Sequence, residues 1–376
     1  MKFWTRIEQF GKKNILRHTE GLWGRRVVFP NQVDWDRVKR ILVVKQHDQL
    51  GDFLLSTPVL RALRERFPDA HLSLLVRRYV EPVARHNRHV DELLALEEVG
   101  THWNWAKFRR FWKGLRSGFD LVVVLNTVSH SLTTDLLSWL AHAPYVLGPS
   151  HRLFAGTHRN FFYNLIAPYI EDGRHQSAQY LEIVAYIGAT TQNLREEITI
   201  LPEEQEWARW YLRKLGFDLA KPILGIHPGA GKIGNRWPAE NFAQVASRLV
   251  QEFGLQPALF YGPKEGTLAD RVEKEASVSL ERMDDLDLRE LAAVFTQLDL
   301  FLGNDTGTTH VAAAVGTPLV VVFGPTDPRQ WKPWGEEFVA VQSKDGRCDS
   351  VSVEEVLASA ESLLRKKWGL PKNSRK

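Results

Sequence analysis

Arg40-Ile41-Leu42-Val43-Val44-Lys45 is a short, β-branched and almost wholly apolar run, and a few residues later Gln49-Leu50-Gly51-Asp52-Phe53-Leu54-Leu55-Ser56-Thr57-Pro58 opens a longer amphipathic segment. An apolar run without alternation reads as a strand buried on both faces, which is how a parallel sheet covered by helices is written. The pattern repeats. Phe53 to Phe67 contains a helix, His71 to Val76 reads as a second strand, and Leu121-Val122-Val123-Val124-Leu125 as another. Residues 148–175 interrupt it with Gly, Pro, His and aromatic residues and read as an irregular insertion near a binding face. Helical periodicity resumes at about Gln176 to Ile187.

A second unit starts near Pro202. A helix from Glu203 to Leu215 leads to the strand Ile223-Leu224-Gly225-Ile226-His227, a loop to Trp237 and a helix from Pro238 to Phe253. Pro238 suits a first helical turn, where its missing N–H is no loss. Strands follow at Pro257 to Tyr261, Leu298 to Leu302 and Leu319 to Phe323. Two successive units of this kind predict an α/β protein of two doubly wound domains facing a cleft. The expected division is a basic amphipathic extension at 1–38, one domain at 39–195, a second at 196–350, and a C-terminal helix with a basic tail at 351–376.

Composition agrees with a globular enzyme: of 376 residues, 44% are hydrophobic and 25% charged, enough apolar material for two cores. The single cysteine, Cys348, excludes an internal disulfide and a cysteine-based zinc cluster, and fits a reducing compartment. No apolar run approaches the roughly 18 residues that span a bilayer, and Arg6, Glu8, Lys12 and Lys13 interrupt any signal-peptide core. A cytoplasmic protein is expected. Residues 1–190 carry 26 Lys and Arg against 18 Asp and Glu, whereas residues 191–376 carry 23 against 27. A basic half beside an acidic one predicts that one side meets a polyanion. Phe3, Ile7 and Phe10 recur at helical spacing among Lys2, Arg6, Lys12 and Lys13, which suits peripheral contact with anionic lipid, packing against the chain's own C-terminal helix being the alternative. A similar stripe, Phe108, Phe111, Trp112 and Leu115 beside Lys107, Arg109, Arg110, Lys113 and Arg116, is expected to pack on its own sheet.

In doubly wound sheets ligands bind at the loops beyond the strands' carboxyl ends. Three such loops carry chemistry. In the first, Gly51 permits a tight turn, and Asp52 either takes a proton from an attacking hydroxyl or caps the following helix. In the second, Gly303-Asn304-Asp305-Thr306-Gly307-Thr308-Thr309-His310, free amides and hydroxyls at a helix start near Thr308 suit a diphosphate, the plainer reading being a well-capped helix. The third is His227-Pro228-Gly229-Ala230-Gly231-Lys232-Ile233-Gly234-Asn235-Arg236-Trp237-Pro238. Its Gly229, Gly231 and Gly234 match G-x-G-x-x-G, but the helix waits for Pro238, so the glycines form an open loop. Lys232 and Arg236 suit phosphate there. Two DxD strings, Asp34-Trp35-Asp36 and Asp285-Leu286-Asp287, follow no apolar strand and read as structural rather than as metal sites.

Together these loops resemble glycosyltransferase family 9, the ADP-heptose:lipopolysaccharide heptosyltransferases, from about Arg40 to Gly335. The most specific stretches are Leu302 to Pro318 with Val322-Phe323-Gly324-Pro325-Thr326, joined by Gly51-Asp52 to Thr57-Pro58 and by Arg236-Trp237-Pro238. The resemblance implies a GT-B fold, with an anionic glycolipid acceptor on the N-terminal domain and an ADP-linked nucleotide sugar on the C-terminal one. It implies an inverting displacement with no cofactor and no metal, and no nucleic-acid partner. Asp52 would be the general base. Asp305, Thr306, Gly307 and His310 would hold the diphosphate, with Thr308, Gly229, Lys232 and Arg236 completing the donor site and Glu265 on the ribose. One departure stands out: family members usually carry Lys where this chain has Asn235, so Lys232 or Arg236 would supply the cation. Competing classes are a transferase of another sugar, a noncatalytic glycolipid-binding relative, and an NAD-dependent oxidoreductase using the three glycines.

Overall fold

The computed structural model describes residues 24–46, 49–97, 104–127, 131–150, 159–168, 173–335 and 337–370. Strands β1 (Arg40–Lys45), β2 (His71–Arg77), β3 (Glu92–Leu96), β4 (Leu121–Val124), β5 (Tyr145–Pro149) and β6 (Leu165–Ala167) form one sheet in the order β3-β2-β1-β4-β5-β6. Strands β7 (Ile223–His227), β8 (Gln256–Phe260), β9 (Glu281–Met283), β10 (Leu300–Asn304), β11 (Leu319–Phe323) and β12 (Phe338–Gln342) form a second, β12-β11-β10-β7-β8-β9. Every strand pair is parallel. Both sheets therefore have the same winding, with the first strand of each unit beside its fourth. The chain reverses its direction of travel across the sheet at β1/β4 and at β7/β10, and at such a switch point the helices diverge and leave a crevice beyond the strand ends. The continuous apolar runs of β4, β7, β10 and β11 are buried along their whole length, as strands covered on both faces must be.

Three sequence expectations change. The stretch expected to be irregular contributes β6, an edge strand parallel to β5, and the aromatics before it, Phe161, Phe162 and Tyr163, are buried beneath the sheet. Gly148 is what admits the Tyr163 ring, since a Cβ there would lie 2.4 Å from it. The helix Trp105–Leu115 splits its apolar stripe. Phe111 and Leu115 face the sheet, and Gly114 lets Leu94 approach, whereas Trp105, Phe108 and Trp112 are 72%, 41% and 38% exposed. Third, residues 24–38 lie along the first unit: Arg25 Nη1 donates to Ala143 O at 2.7 Å, Val28 N to Asn164 O at 2.8 Å, and Val33 and Val38 are buried. The stripe Phe3, Ile7 and Phe10 lies outside the described residues. At the other end, the helix Val353–Lys367 is capped by Ser352 and buries Val356, Leu357, Ala360 and Leu364 against the second sheet.

The two units meet through the helices Leu50–Arg66 and Gly307–Ala314. Gly51 lies inside the first turn of its helix with ordinary helical backbone, so the tight turn read from the sequence is not its purpose. Its missing side chain makes room for another residue: a Cβ on Gly51 would lie 2.7 Å from His310 Cδ2, and one on Gly307 would lie 3.1 Å from Leu50 Cβ. The linker that joins the units is fastened beside this contact. Arg61 donates to Asn193 O and to Glu197 Oε2, each at 2.6 Å, Glu197 N donates to Thr57 Oγ1 at 3.1 Å, and Ile198 N to Ala314 O at 3.1 Å.

Gly51→Ala drives a methyl group into a pinned imidazole and should cost about 1–3 kcal/mol, the usual range for overpacking. Denaturant unfolding followed by circular dichroism checks it. A midpoint equal to that of the unaltered protein would show that the two helices separate freely.

Candidate active site

A cavity of about 530 Å³ lies between the carboxyl edges of the two sheets. Gln49, Gly51 and Asp52 line it from one unit, and Lys232, Asn235, Asp305, Thr306, Gly307 and His310 from the other. Asp52 is the third residue of its helix, and its Oδ2 accepts from Gln49 N at 3.3 Å. The capping and the cleft-facing readings of Asp52 therefore both hold, because one carboxylate oxygen suffices for the cap.

Opposite Asp52, the helix Gly307–Ala314 presents its N-terminus. The amides of its first turn have no carbonyls to bond within the helix, and the helix dipole adds partial positive charge. Thr306 Oγ1 is buried and finds no hydrogen-bond partner among the described residues, a hydroxyl that a bound oxyanion would satisfy. The loop before it is anchored from below by Asn304, which is fully buried at the end of β10. Asn304 Oδ1 accepts from Trp237 N at 3.0 Å, Asn304 Nδ2 donates to Pro228 O at 2.8 Å, and Asn304 O accepts from Thr309 Oγ1 at 2.6 Å. One residue, through its side-chain amide and its backbone carbonyl, thus ties the glycine loop, the strand and the helix start together.

His310 is buried against Gly51, and its Nδ1 lies 3.1 Å from Glu196 Oε1 on the linker. Burial pulls the imidazole pKa down, but the carboxylates of Glu196, Asp305 and Asp52 more than reverse this, so it titrates above an ordinary histidine. Burial likewise pushes Glu196 above the usual carboxylate range, with His310 pulling part of the way back. Asp305 is raised by its enclosure, against the pull of His310, Thr326 and Lys232.

The glycine loop divides its two cations. Lys232 is exposed at the cavity, while Arg236 Nε donates to Ala230 O at 2.8 Å and does not line it. Asn235 is buried, with Nδ2 donating to Thr326 Oγ1 at 3.2 Å. Glu265 accepts from Gly262 N at 2.9 Å and lies 3.3 Å from His227 Nε2. The hydrogen bond from His227 holds its pKa at about 2, against the effect of burial and helped by Arg236 nearby. Gly229 is the floor of this carboxylate, since a Cβ there would lie 2.2 Å from Glu265 Oε1. The helix after the loop begins at Ala239, with Pro238 as its cap residue, so the G-x-G-x-x-G glycines pack no helix on the strand as a dinucleotide site requires.

A second cavity of about 270 Å³ opens beyond the ends of β7, β8 and β9. Phe260, Met283, Leu286 and Leu291 give it apolar walls, and Thr308 stands where the helix Gly307–Ala314 begins. An apolar slot leading to a helix N-terminus suits a flat base followed by a diphosphate. Asp285 lines this slot with a left-handed backbone, φ 57°, whereas Asp287 caps the helix Leu288–Phe295 by accepting from Arg289 N and Glu290 N. Of the other pair, Asp34 stands at the start of a short turn and pairs with Arg37. Among the described residues no group of three or more His, Cys, Asp or Glu side chains is placed to hold a metal.

Of the residues singled out from the sequence, Asp52, Lys232, Asp305, Thr306, Gly307, Thr308 and His310 line these two cavities, whereas Arg236 turns to its own loop and Glu265, with Gly229 as its floor, stands behind the second cavity's lining residues His227 and Gly262. Glu196, Asn304 and Thr326 escaped the sequence reading. Asn304 and Thr326 lay inside motifs already quoted, but Glu196 sits in a linker whose sequence carries no motif.

The family model for glycosyltransferase family 9 (heptosyltransferase) matches residues 108–359. The chain is 27% identical over 297 residues to lipopolysaccharide heptosyltransferase 3 of Escherichia coli K12, covering 77% of this chain and 84% of the relative. The glycosyltransferase family 9 structure from Veillonella parvula superposes with a TM-score of 0.77 at 25% identity, over 87% of this chain and 97% of that one. An Escherichia coli heptosyltransferase solved with ADP shares the fold, with a TM-score of 0.68 at 20% identity over 86% and 99% of the two chains. With two parallel doubly wound sheets closing on one cleft in the GT-B arrangement, this chain belongs to glycosyltransferase family 9 and is a glycosyltransferase.

Proposed function

We propose that the protein transfers heptose from ADP-heptose to a lipopolysaccharide core or related anionic glycolipid by a single, inverting displacement that uses no metal. The observation that carries this reading is one cavity in which Asp52 faces Lys232, Thr306 and the N-terminus of the Gly307–Ala314 helix. The relative solved with ADP supports the choice of nucleotide, and the lipopolysaccharide heptosyltransferase relatives support the acceptor class.

In this reading the base lies in the slot walled by Phe260 and Met283, Glu265 takes the ribose hydroxyls, and the diphosphate meets the helix amides, Thr306, Lys232 and His310. The acceptor hydroxyl enters from the Asp52 side. Its oxygen attacks the anomeric carbon as the bond to the diphosphate oxygen breaks, and Asp52 takes the hydroxyl proton. Attack opposite the leaving group inverts that carbon. The negative charge that grows on the diphosphate falls where helix amides, the ammonium of Lys232 and a charged His310 already point, so little reorganisation is needed. Lys232 takes the place of the lysine that Asn235 replaces. Work on a glycolipid places the protein at the inner face of the cytoplasmic membrane as a peripheral enzyme; no helix among the described residues is long and apolar enough to cross a membrane.

Mass spectrometry of a truncated lipopolysaccharide acceptor after incubation with ADP-heptose should show addition of one heptose. Asp52→Asn keeps the size and the cap but removes the basicity, and turnover should fall at least roughly 100-fold, the usual worth of a general base. Near-normal turnover in that variant would remove Asp52 from the reaction.

Excess EDTA should leave the rate unchanged, because fixed amides and Lys232 hold the diphosphate. Loss of activity that magnesium or manganese restores would refute this.

Glu196→Gln tests the imidazolium. With the carboxylate gone, burial dominates and the pKa of His310 falls, so its charge is lost at lower pH. The alkaline limb of the pH profile of kcat should therefore move to lower pH, with circular dichroism unchanged. A profile that scales down uniformly would assign Glu196 a purely structural part.

A further inference from the structure

The helix Trp105–Leu115 carries a surface that transfer chemistry does not use. Trp105, Phe108 and Trp112 fall at i, i+3 and i+7, share one side of the helix, and form a ladder of stacked rings with centroids 5.7 Å and 6.2 Å apart. They stand 72%, 41% and 38% exposed, while Phe111, Gly114 and Leu115, which continue the stripe further round the helix, are buried, with Phe111 and Leu115 packed in the core of the first unit. Sheet packing therefore accounts for only half of the apolar residues. The charge on this element is of one sign. Lys107, Arg109, Arg110, Lys113 and Arg116 lie on it or at its end, and no acidic residue occurs from Asn104 to Phe119. Lys107 pairs with Glu97 at 3.2 Å, and the Arg116 guanidinium lies 5.7 Å from the Trp112 ring.

We infer that this helix face is a docking surface for an anionic lipid bilayer. Tryptophan and phenylalanine rings seated among arginines and lysines match the boundary between acyl chains and anionic headgroups, where the rings bury and the cations meet phosphate. The absence of carboxylates on the element argues for that occupant over a protein surface of mixed charge. The position agrees with it. The helix follows β3, an edge strand of the first sheet, so its N-terminus with Trp105 lies at the carboxyl edge that also carries Asp52. Rings buried there would turn the acceptor side of the cleft toward the membrane plane. This consequence rests on the proposed glycolipid acceptor; the lipid contact itself does not.

The test is flotation of the full chain with vesicles of phosphatidylglycerol or of phosphatidylcholine, with neither donor nor acceptor present, and amide hydrogen exchange on the same samples. The full chain should float with phosphatidylglycerol at low salt, and the amides of residues 104–117 should gain protection. The double variant Trp105→Ser/Trp112→Ser, whose changes lie on the exposed face, should lose roughly ten-fold or more of that binding. The variant Arg109→Ser/Lys113→Ser should weaken it and reduce its sensitivity to salt. Circular dichroism of both variants should match the unaltered chain. Full-length protein that floats with neither vesicle, or a tryptophan double variant that floats as well as the parent, would overturn the assignment. Vesicle binding without sugar transfer would leave the docking surface standing and remove only the proposed reaction.

Discussion

The catalytic cleft depends on how closely two helix N-termini approach. Gly51 and Gly307 are the points of contact: a methyl group on one would enter the His310 ring, and on the other would crowd Leu50. Glycine in a helix interior costs roughly 0.5–1 kcal/mol relative to alanine, so two of them at facing first turns are a local weakness accepted for proximity. The proximity sets the chemistry. It puts Asp52 of one unit and the helix N-terminus of the other around a single cavity, and each doubly wound sheet then contributes the crevice at its own switch point.

Closeness also raises an electrostatic problem. Asp52, Asp305 and Glu196 all act on His310, and three carboxylates near an anionic ligand would repel it. The structure answers with burial and pairing. Enclosure raises Asp305 and Glu196, which weakens their hold on charge, and the imidazole between them titrates high. Glu265 is the opposite case. His227 and the Gly262 amide fix it as a carboxylate that stays ionised to about pH 2, suited to accepting hydrogen bonds from hydroxyl groups. The two glutamates Glu196 and Glu265 thus shift in opposite directions, each set by its neighbours.

Much of this was legible in the sequence because parallel strands are written as unbroken apolar runs. β1, β4, β7, β10 and β11 were found from such runs to within a few residues, and with them the loops that carry Asp52, Lys232 and Thr306. What could not be read depends on contacts between distant segments. Glu196 lies 114 positions from His310, and nothing in its own neighbourhood marks it. Gly51 looked like a turn residue because its reason, the His310 ring, belongs to the other unit. β6 was hidden because it has only three residues and lies in a stretch of glycine, proline and aromatics. The helix Trp105–Leu115 misled for a different reason. Its hydrophobic residues at helical spacing were read as one stripe, yet a 3.6-residue period cannot say how wide the covered face is.

The loop from Gly229 to Trp237 shows how one motif serves several physical ends. Gly229 is dictated by crowding, since only a residue without a Cβ leaves room for Glu265. Gly231 and Gly234 are not, because a Cβ at either would meet nothing within 4 Å among the described residues. What those two glycines give the segment around Lys232 is backbone freedom. Its ends are held, by the Asn304 amide at Pro228 and Trp237 and by the Asn235 amide at Thr326. A lysine at the family's usual position would be carried on the part of the loop that is pinned. In the proposed reaction Lys232 supplies that cation from the unpinned part of the loop, where a long side chain between two glycines could follow the diphosphate as its charge grows, at the entropic cost of ordering that segment. Asn235 then keeps the polar bond that the pinned end needs without burying an ammonium group there, which would be far more costly than burying an amide.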